Sequence, residues 1–151
     1  MGRVSRYRLG FDPWGLGLFP AVMAPNFVWF VLPPPNDILR AASATPLLDG
    51  AEQVLRVVMA AAMCGVVNTA RDGFGRPGPA AGAGLCVLLY FAGWAAYYAG
   101  TANAAVLLTL CLAPCGAFLL FAWARSNTPA LLAAGGFALC HLSSTLINFV
   151  L

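Results

Sequence analysis

Three residues of this chain stand where their chemistry is costly. Glu52, Arg56 and His141 fall inside long apolar stretches. An ionisable side chain in such a place faces a bundle interior or a wet cavity, and marks a functional site by default. A carboxyl and an imidazole form a proton donor–acceptor pair. Arg56 follows Glu52 by four residues and so shares its helix face. His141, Ser144 or Thr145, and Asn148 repeat at a spacing that also keeps to one face. Asn26, Gln53 and Ser143 are further polar residues in apolar surroundings.

The chemistry this set would do is proton transfer. Glu52 serves as acid or base, His141 as the second proton carrier, and Arg56 as the cation beside Glu52. Asn26, Asn148 and Thr145 orient a substrate or hold water. Trp29, Phe30, Trp94 and Tyr97 line an apolar cavity, and their ring faces stabilise positive charge. Together these suit cyclisation or isomerisation of a lipid-like or isoprenoid molecule, a lyase- or isomerase-type reaction like that of small membrane-bound terpene cyclases. One His, one Glu and one Asn make a poor zinc set, so no metal and no cofactor is expected. Gly-x-Ser-x-Gly is absent. The five cysteines contain no Cys-x-x-Cys pair, and small buried thiols are common core fillers. Two other readings compete. In one, Glu52–Arg56 is an intrahelical ion pair and His141 and Asn148 are interhelical glue, worth about 0.6 kcal/mol per hydrogen bond. In the other, the chain is a transport module or a subunit of a membrane complex.

The elements that position these residues are transmembrane helices. A span needs about 20 apolar residues, and five stretches qualify: 14–32, 47–69, 80–100, 104–123 and 129–151. The expectation is therefore an all-α bundle of five spans, a single membrane domain over residues 1–151. Pro33-Pro34-Pro35 ends the first span. Gly73, Gly75, Pro77, Gly78 and Pro79 break the chain after the second. Pro20, Pro25 and Pro114 are expected to kink their helices. Ala81-Gly82-Ala83-Gly84 and Gly135-Gly136 read as close-packing surfaces. The basic start and the Ala42-Ser43-Ala44 triplet imitate a signal peptide, but the apolar stretch is long and holds two prolines and Asn26.

Composition leads to the same class. Of 151 residues, 61% are hydrophobic and 9% charged, against about 25% charged in soluble domains. A soluble globule of this size has too little interior for so much apolar surface. All eight basic residues are Arg, a usage that fits a high-GC bacterial genome. Arg3, Arg6 and Arg8 beside an apolar stretch suit anionic lipid headgroups better than nucleic acid. With the N-terminus inside, Arg3, Arg6, Arg8, Arg71, Arg76 and Arg125 lie on the inner side and Arg40 alone outside. The expected orientation is N-inside and C-outside in a bacterial inner membrane. A membrane lipid and a hydrophobic small molecule are the expected partners, and a homo-oligomer is compatible with the small-residue faces.

This topology places the polar residues at one level. Glu52 and Arg56 lie about 7 and 13 Å below the outer surface, Asn26 about 9 Å, Asn148 about 5 Å and His141 about 15 Å. The first, second and fifth spans should surround an outer-leaflet pocket. The third and fourth should form an apolar flank, with Leu107, Leu108, Leu110, Leu112, Leu119 and Leu120 facing lipid or packing.

Pro25-Asn26, Glu52-Gln53-x-x-Arg56, Phe137-x-x-x-His141 and Asn148 resemble the pattern of a family of small five-span bacterial membrane proteins of unassigned function. That resemblance implies the fold and the polar cluster, and no reaction. Glu52-x-x-x-Arg56 and Phe137-x-x-x-His141 also look like fragments of the CAAX-protease and bacteriocin-processing family. That family places adjacent glutamates where this chain has Ala51-Glu52, and uses a further histidine on another helix. His141 is the single His here.

Overall fold

The computed structural model describes residues 6–70 and 75–151. The orientation signals Arg3 and Arg71, and the breaker Gly73, lie outside the described residues. Five long helices make up most of the chain: α1 (Pro13–Val31), α2 (Pro46–Gly65), α3 (Pro77–Tyr98), α4 (Ala104–Ala124) and α5 (Thr128–Thr145). Proline opens α1, α2, α3 and α5 at the first or second helical position, where its missing N–H costs nothing. Side chains of Asp12, Asn103 and Asn127 cap α1, α4 and α5. A π-helical turn (Leu146–Val150) follows α5. α1 and α4 continue through Pro20, Pro25 and Pro114.

The fold departs from all-α in one small feature. β1 (Tyr7–Leu9) pairs antiparallel with β2 (Val66–Asn68), Arg8 opposite Val67. The apolar run of residues 47–69 predicts helix through Thr69. Val66-Val67 is β-branched and suits a strand, so the second helix stops at Gly65 and its end pairs with the N-terminal segment.

α1, α3, α4 and the α5 segment Thr128–Val150 are long and apolar enough to cross a membrane. α2 is the exception among the five expected spans, because Asp49, Glu52 and Arg56 all lie on it. Its pattern is inverted relative to a soluble amphipathic helix. The buried stripe carries Glu52, Met59 and Met63, while Val54 and Val57 are 64% and 68% exposed.

The helices pack in a ring. α3 packs on α4, α4 on α5, α5 on α2 and α2 on α1, and α1 returns to α3. α4 is the most buried helix, with Leu107, Leu110, Cys111, Pro114, Phe118 and Phe121 inside. The expectation of an apolar flank is thus corrected: α4 forms an inner wall, because its small residues Ala113, Ala117 and Ala122 admit neighbours on both sides. The close-packing expectation holds at Gly82 and Gly136, which meet Leu120 and Leu55, while Gly84 and Gly135 face open space. A tighter approach lies elsewhere. A Cβ on Gly15 would stand 2.5 Å from the Met63 carbonyl oxygen.

Each end of the ring is tied. At the β-strand end, Arg125 pairs with Asp12 at 2.7 Å, and Asn127 Nδ2 donates to the carbonyls of Ala62 and Val66. At the other end Asp37 accepts hydrogen bonds from Trp29 Nε1 (3.0 Å), Tyr97 OH (3.1 Å) and Arg40. This cluster pins the 32–45 loop across α1 and α3.

Candidate functional site

The site forms where α2 meets α5. Glu52 sits one and a half turns into α2 and is buried. Arg56, one turn further, donates from Nη2 to Glu52 Oε1. The other carboxylate oxygen, Oε2, faces His141 Nδ1 at 3.2 Å. Both oxygens of Glu52 are therefore engaged by cationic or protonatable partners, one from its own helix and one from α5. A buried carboxylate is tolerable only with such compensation.

Phe137 supports both partners. The His141 ring stacks on it, with centroids 5.2 Å apart and planes at 15°. The Arg56 guanidinium lies 5.5 Å from the centroid of the same ring. The i, i+4 spacing of Phe137 and His141 makes the stack possible. It also fixes the imidazole with Nδ1 toward Glu52, so Nε2 remains for whatever enters the adjoining space.

Two spaces adjoin the pair. A vestibule of about 280 Å³ opens at the Asp37 end, lined by Ser43, Asp49, Glu52, His141, Thr145 and Asn148 among others. A smaller cavity of about 60 Å³ lies deeper, lined by Asn26, Arg56, Tyr90, Pro114, Phe137 and His141 among others. The second is room for a few waters. His141 borders both, so the Glu52–His141 pair stands at the boundary between an open polar mouth and an inner chamber.

The rim of the vestibule is heavily hydrogen-bonded. Ser144 Oγ donates to Asp49 Oδ1 at 2.8 Å. Asn148 Nδ2 donates to Thr45 Oγ1 at 2.8 Å, and its Oδ1 accepts from the Ala44 backbone N–H at 2.6 Å. Asn148 thus fastens the loop to α5 at the mouth, and its amide is spent on the protein itself. In the inner chamber Asn26 Nδ2 donates to Tyr90 OH at 2.8 Å and to the Val22 carbonyl at 3.2 Å.

The ten residues singled out from the sequence separate into four places. Glu52, Arg56, His141, Asn26, Thr145 and Asn148 line the two adjoining spaces. Trp29 and Tyr97 do not: both are bound to Asp37 at the end of the bundle. Phe30 packs on Trp29 and is 66% exposed on the outer surface. Trp94 is buried beside a shallow apolar groove of about 350 Å³ between α1 and α3, with Pro25, Val28, Phe91 and Tyr98. Aromatic type alone groups these four in the sequence, and the structure holds them apart. Trp29 is separated from Asn26 by depth rather than by face, since the two are three apart on α1 and Trp29 lies nearly a turn nearer the loop. Tyr90, Asp49 and Ser43 were missed as site residues. Tyr90 had no polar neighbour in sequence, and Asp49 stood at a helix start, where an acid is ordinary capping chemistry.

No protein-family model, curated protein or solved structure matches the chain. The likeness to a five-span family stays at the level of its short motifs, and the chemistry of the site rests on its own geometry. Among the described residues no group of three His, Cys, Asp or Glu side chains could hold a metal ion. Cys111 and Cys115, one turn apart on α4, are buried free thiols and line neither space.

Proposed function

We propose that this protein is a small membrane-embedded enzyme that transfers protons to and from the polar head of a lipid-like molecule, with Glu52 and His141 as the reacting pair. The observation that carries this reading is the 3.2 Å contact between Glu52 Oε2 and His141 Nδ1 at the boundary of the two spaces. In it, a carboxylate orients an imidazole, whose Nε2 is left to act as acid or base, and such a group is worth about 10²- to 10⁴-fold in rate.

The bilayer location is supported by α2. In water its exposed Val54, Val57 and Val58 and its buried Glu52 would be the wrong way round, and in lipid they are the favourable arrangement. Orientation is supported by Arg6, Arg8, Arg76 and Arg125, which lie at the β-strand end, with Arg40 at the other. This excess of arginine supports an orientation with the β-strand end inside and the vestibule outside, in a bacterial inner membrane. The substrate's head enters the vestibule from the outer leaflet and its chain stays in lipid. An isoprenoid folded for cyclisation would need an enclosed site nearer 300–1,000 Å³, and the inner cavity is about 60 Å³. Isomerisation or another head-group proton transfer therefore fits better than cyclisation.

The test compares lipid extracts of membranes holding wild type, Glu52→Gln or His141→Asn, each confirmed monodisperse by gel filtration. A lipid species altered by wild type and restored by both variants is expected. Identical extracts from all three would sink the reading. A second reading is favoured by the series of the two spaces along α2 and α5, namely a proton path with Glu52–His141 as its relay. Proton leak into liposomes carrying the purified protein, abolished by Glu52→Gln, would select it.

A further inference from the structure

The β-strand end carries a second polar cleft, some 160 Å³ in volume, which the proposed chemistry does not use. Arg6 and Arg76 reach it from segments 70 residues apart, and Ser126, Asn127 and Thr128 form its floor at the α4–α5 turn. Half-exposed Trp123 stands at its edge, a residue type that prefers the headgroup level.

The charges around it are unbalanced in a specific way. Arg40, Arg56 and Arg125 each pair with a carboxylate. Among the described residues Arg6 and Arg76 make no ion pair, and no carboxylate lines the cleft. The floor adds donors. Ser126 Oγ is buried and has no hydrogen-bond partner. It is held there by a left-handed backbone, φ 52°, rarely adopted by a residue other than Gly, Asn or Asp. Thr128 Oγ1 accepts from Tyr7 OH at 2.8 Å, which leaves its own proton to give. Asn127 is spent, since its amide holds Ala62 and Val66 and its oxygen caps Ala130. Two guanidinium groups without an ion pair among the described residues, beside two hydroxyls with protons to give, are the complement of an oxyanion.

We propose that this cleft binds a phosphate oxyanion, presented by an anionic lipid headgroup or as free phosphate. Both guanidinium groups would clamp its oxygens, and the Ser126 hydroxyl would supply the buried contact. The site is independent of the chemistry at Glu52.

Native mass spectrometry tests it, with full-length protein in nanodiscs of phosphatidylcholine alone, phosphatidylcholine with phosphatidylglycerol, or phosphatidylcholine with added inorganic phosphate. One anionic lipid, or one phosphate, should stay on wild type. Arg6→Gln with Arg76→Gln should weaken that retention about 25-fold, at about fivefold per arginine, and Ser126→Ala should weaken it without loss of charge. Arg8→Gln removes a charge from the same end but does not line the cleft, and should retain the ligand. Retention in the phosphatidylglycerol arm alone assigns a lipid source, and in the phosphate arm a free ion. Equal retention of phosphatidylcholine, or an Arg8→Gln loss as large as that of the double variant, would overturn the site in favour of general attraction to a basic face. Gel filtration of each variant separates misfolding from lost binding, and Ser126→Ala keeps the test decisive should the double variant fail to fold.

Discussion

At the scale of single residues, polar groups in this chain do two different jobs. Asn148 and Tyr97 are clamps, and every polar atom they have is turned to another part of the protein. Asn26 differs, because its partner Tyr90 also borders the chamber beside His141. Asn26→Leu removes one interhelical hydrogen bond, which in membranes averages about 0.6 kcal/mol. A small drop in detergent melting temperature is expected, with a much larger loss in the lipid-extract assay; equal small effects on both would make Asn26 a clamp too. Asp37 offers a pH test. Burial pushes its carboxyl upward, but hydrogen bonds from Trp29, Arg40 and Tyr97 outweigh this and hold it below the ordinary carboxylate range. A depressed native pKa stabilises above the unfolded value of about 3.9, and that gain is lost as the pH falls through the native one. Asp37→Asn is therefore expected to melt below wild type at pH 7, with the gap closing toward pH 3; a gap independent of pH would remove the ionised carboxylate from the account. The pairing of Glu52 with Arg56 was legible as an i, i+4 spacing. The roles of Trp29 and Asp37 were not, since their partners lie eight and sixty residues away.

At the scale of elements, the contacts between helices set which small residues matter. Gly15 lies against the Met63 carbonyl and Gly17 faces open space. In helices Gly→Ala gains about 0.5–1 kcal/mol from backbone entropy alone. Gly17→Ala is expected to gain about that much stability and so raise the melting temperature, and Gly15→Ala to lower it as α1 is forced off α2. Parallel gains would refute the close approach. The α2 face can be tested the same way. Val57 is exposed on it, and a charge at a lipid-facing position costs about 2.5–3.5 kcal/mol. Val57→Asp should cut membrane-integrated protein sharply, whereas a water-facing position would tolerate it. Helix extents were largely legible, because apolar length and proline punctuation decide them. β2 was hidden, since a strand of three residues leaves no period to read. The order of helices in the ring was hidden as well, because the apolar faces of α3 and α4 are nearly uniform around their circumference and point nowhere in particular.

For the whole molecule, the proposed membrane reading of the five alternating helices puts Arg6 and Leu151 on opposite faces. A reporter that fluoresces only in the cytoplasm should be bright when fused before Met1 and dark after Leu151. The reverse pattern would invert the vestibule and the basic cleft together. Composition pointed to the membrane class, and the direction rests on arginine placement, which this reporter would test.

Glu52 on α2 obtains one of its two partners from the last helix, nearly ninety residues downstream. On the proposed reading of α2 as a span, it reaches the translocon with its carboxylate held by Arg56 alone. It cannot complete its pairing until α5 has been made. Biogenesis becomes conditional, with one segment held back for another that does not yet exist. Chains cut before Thr128 should leave α2 poorly inserted and open to quality-control proteolysis, and pulse-chase lifetimes of such truncations would record the delay.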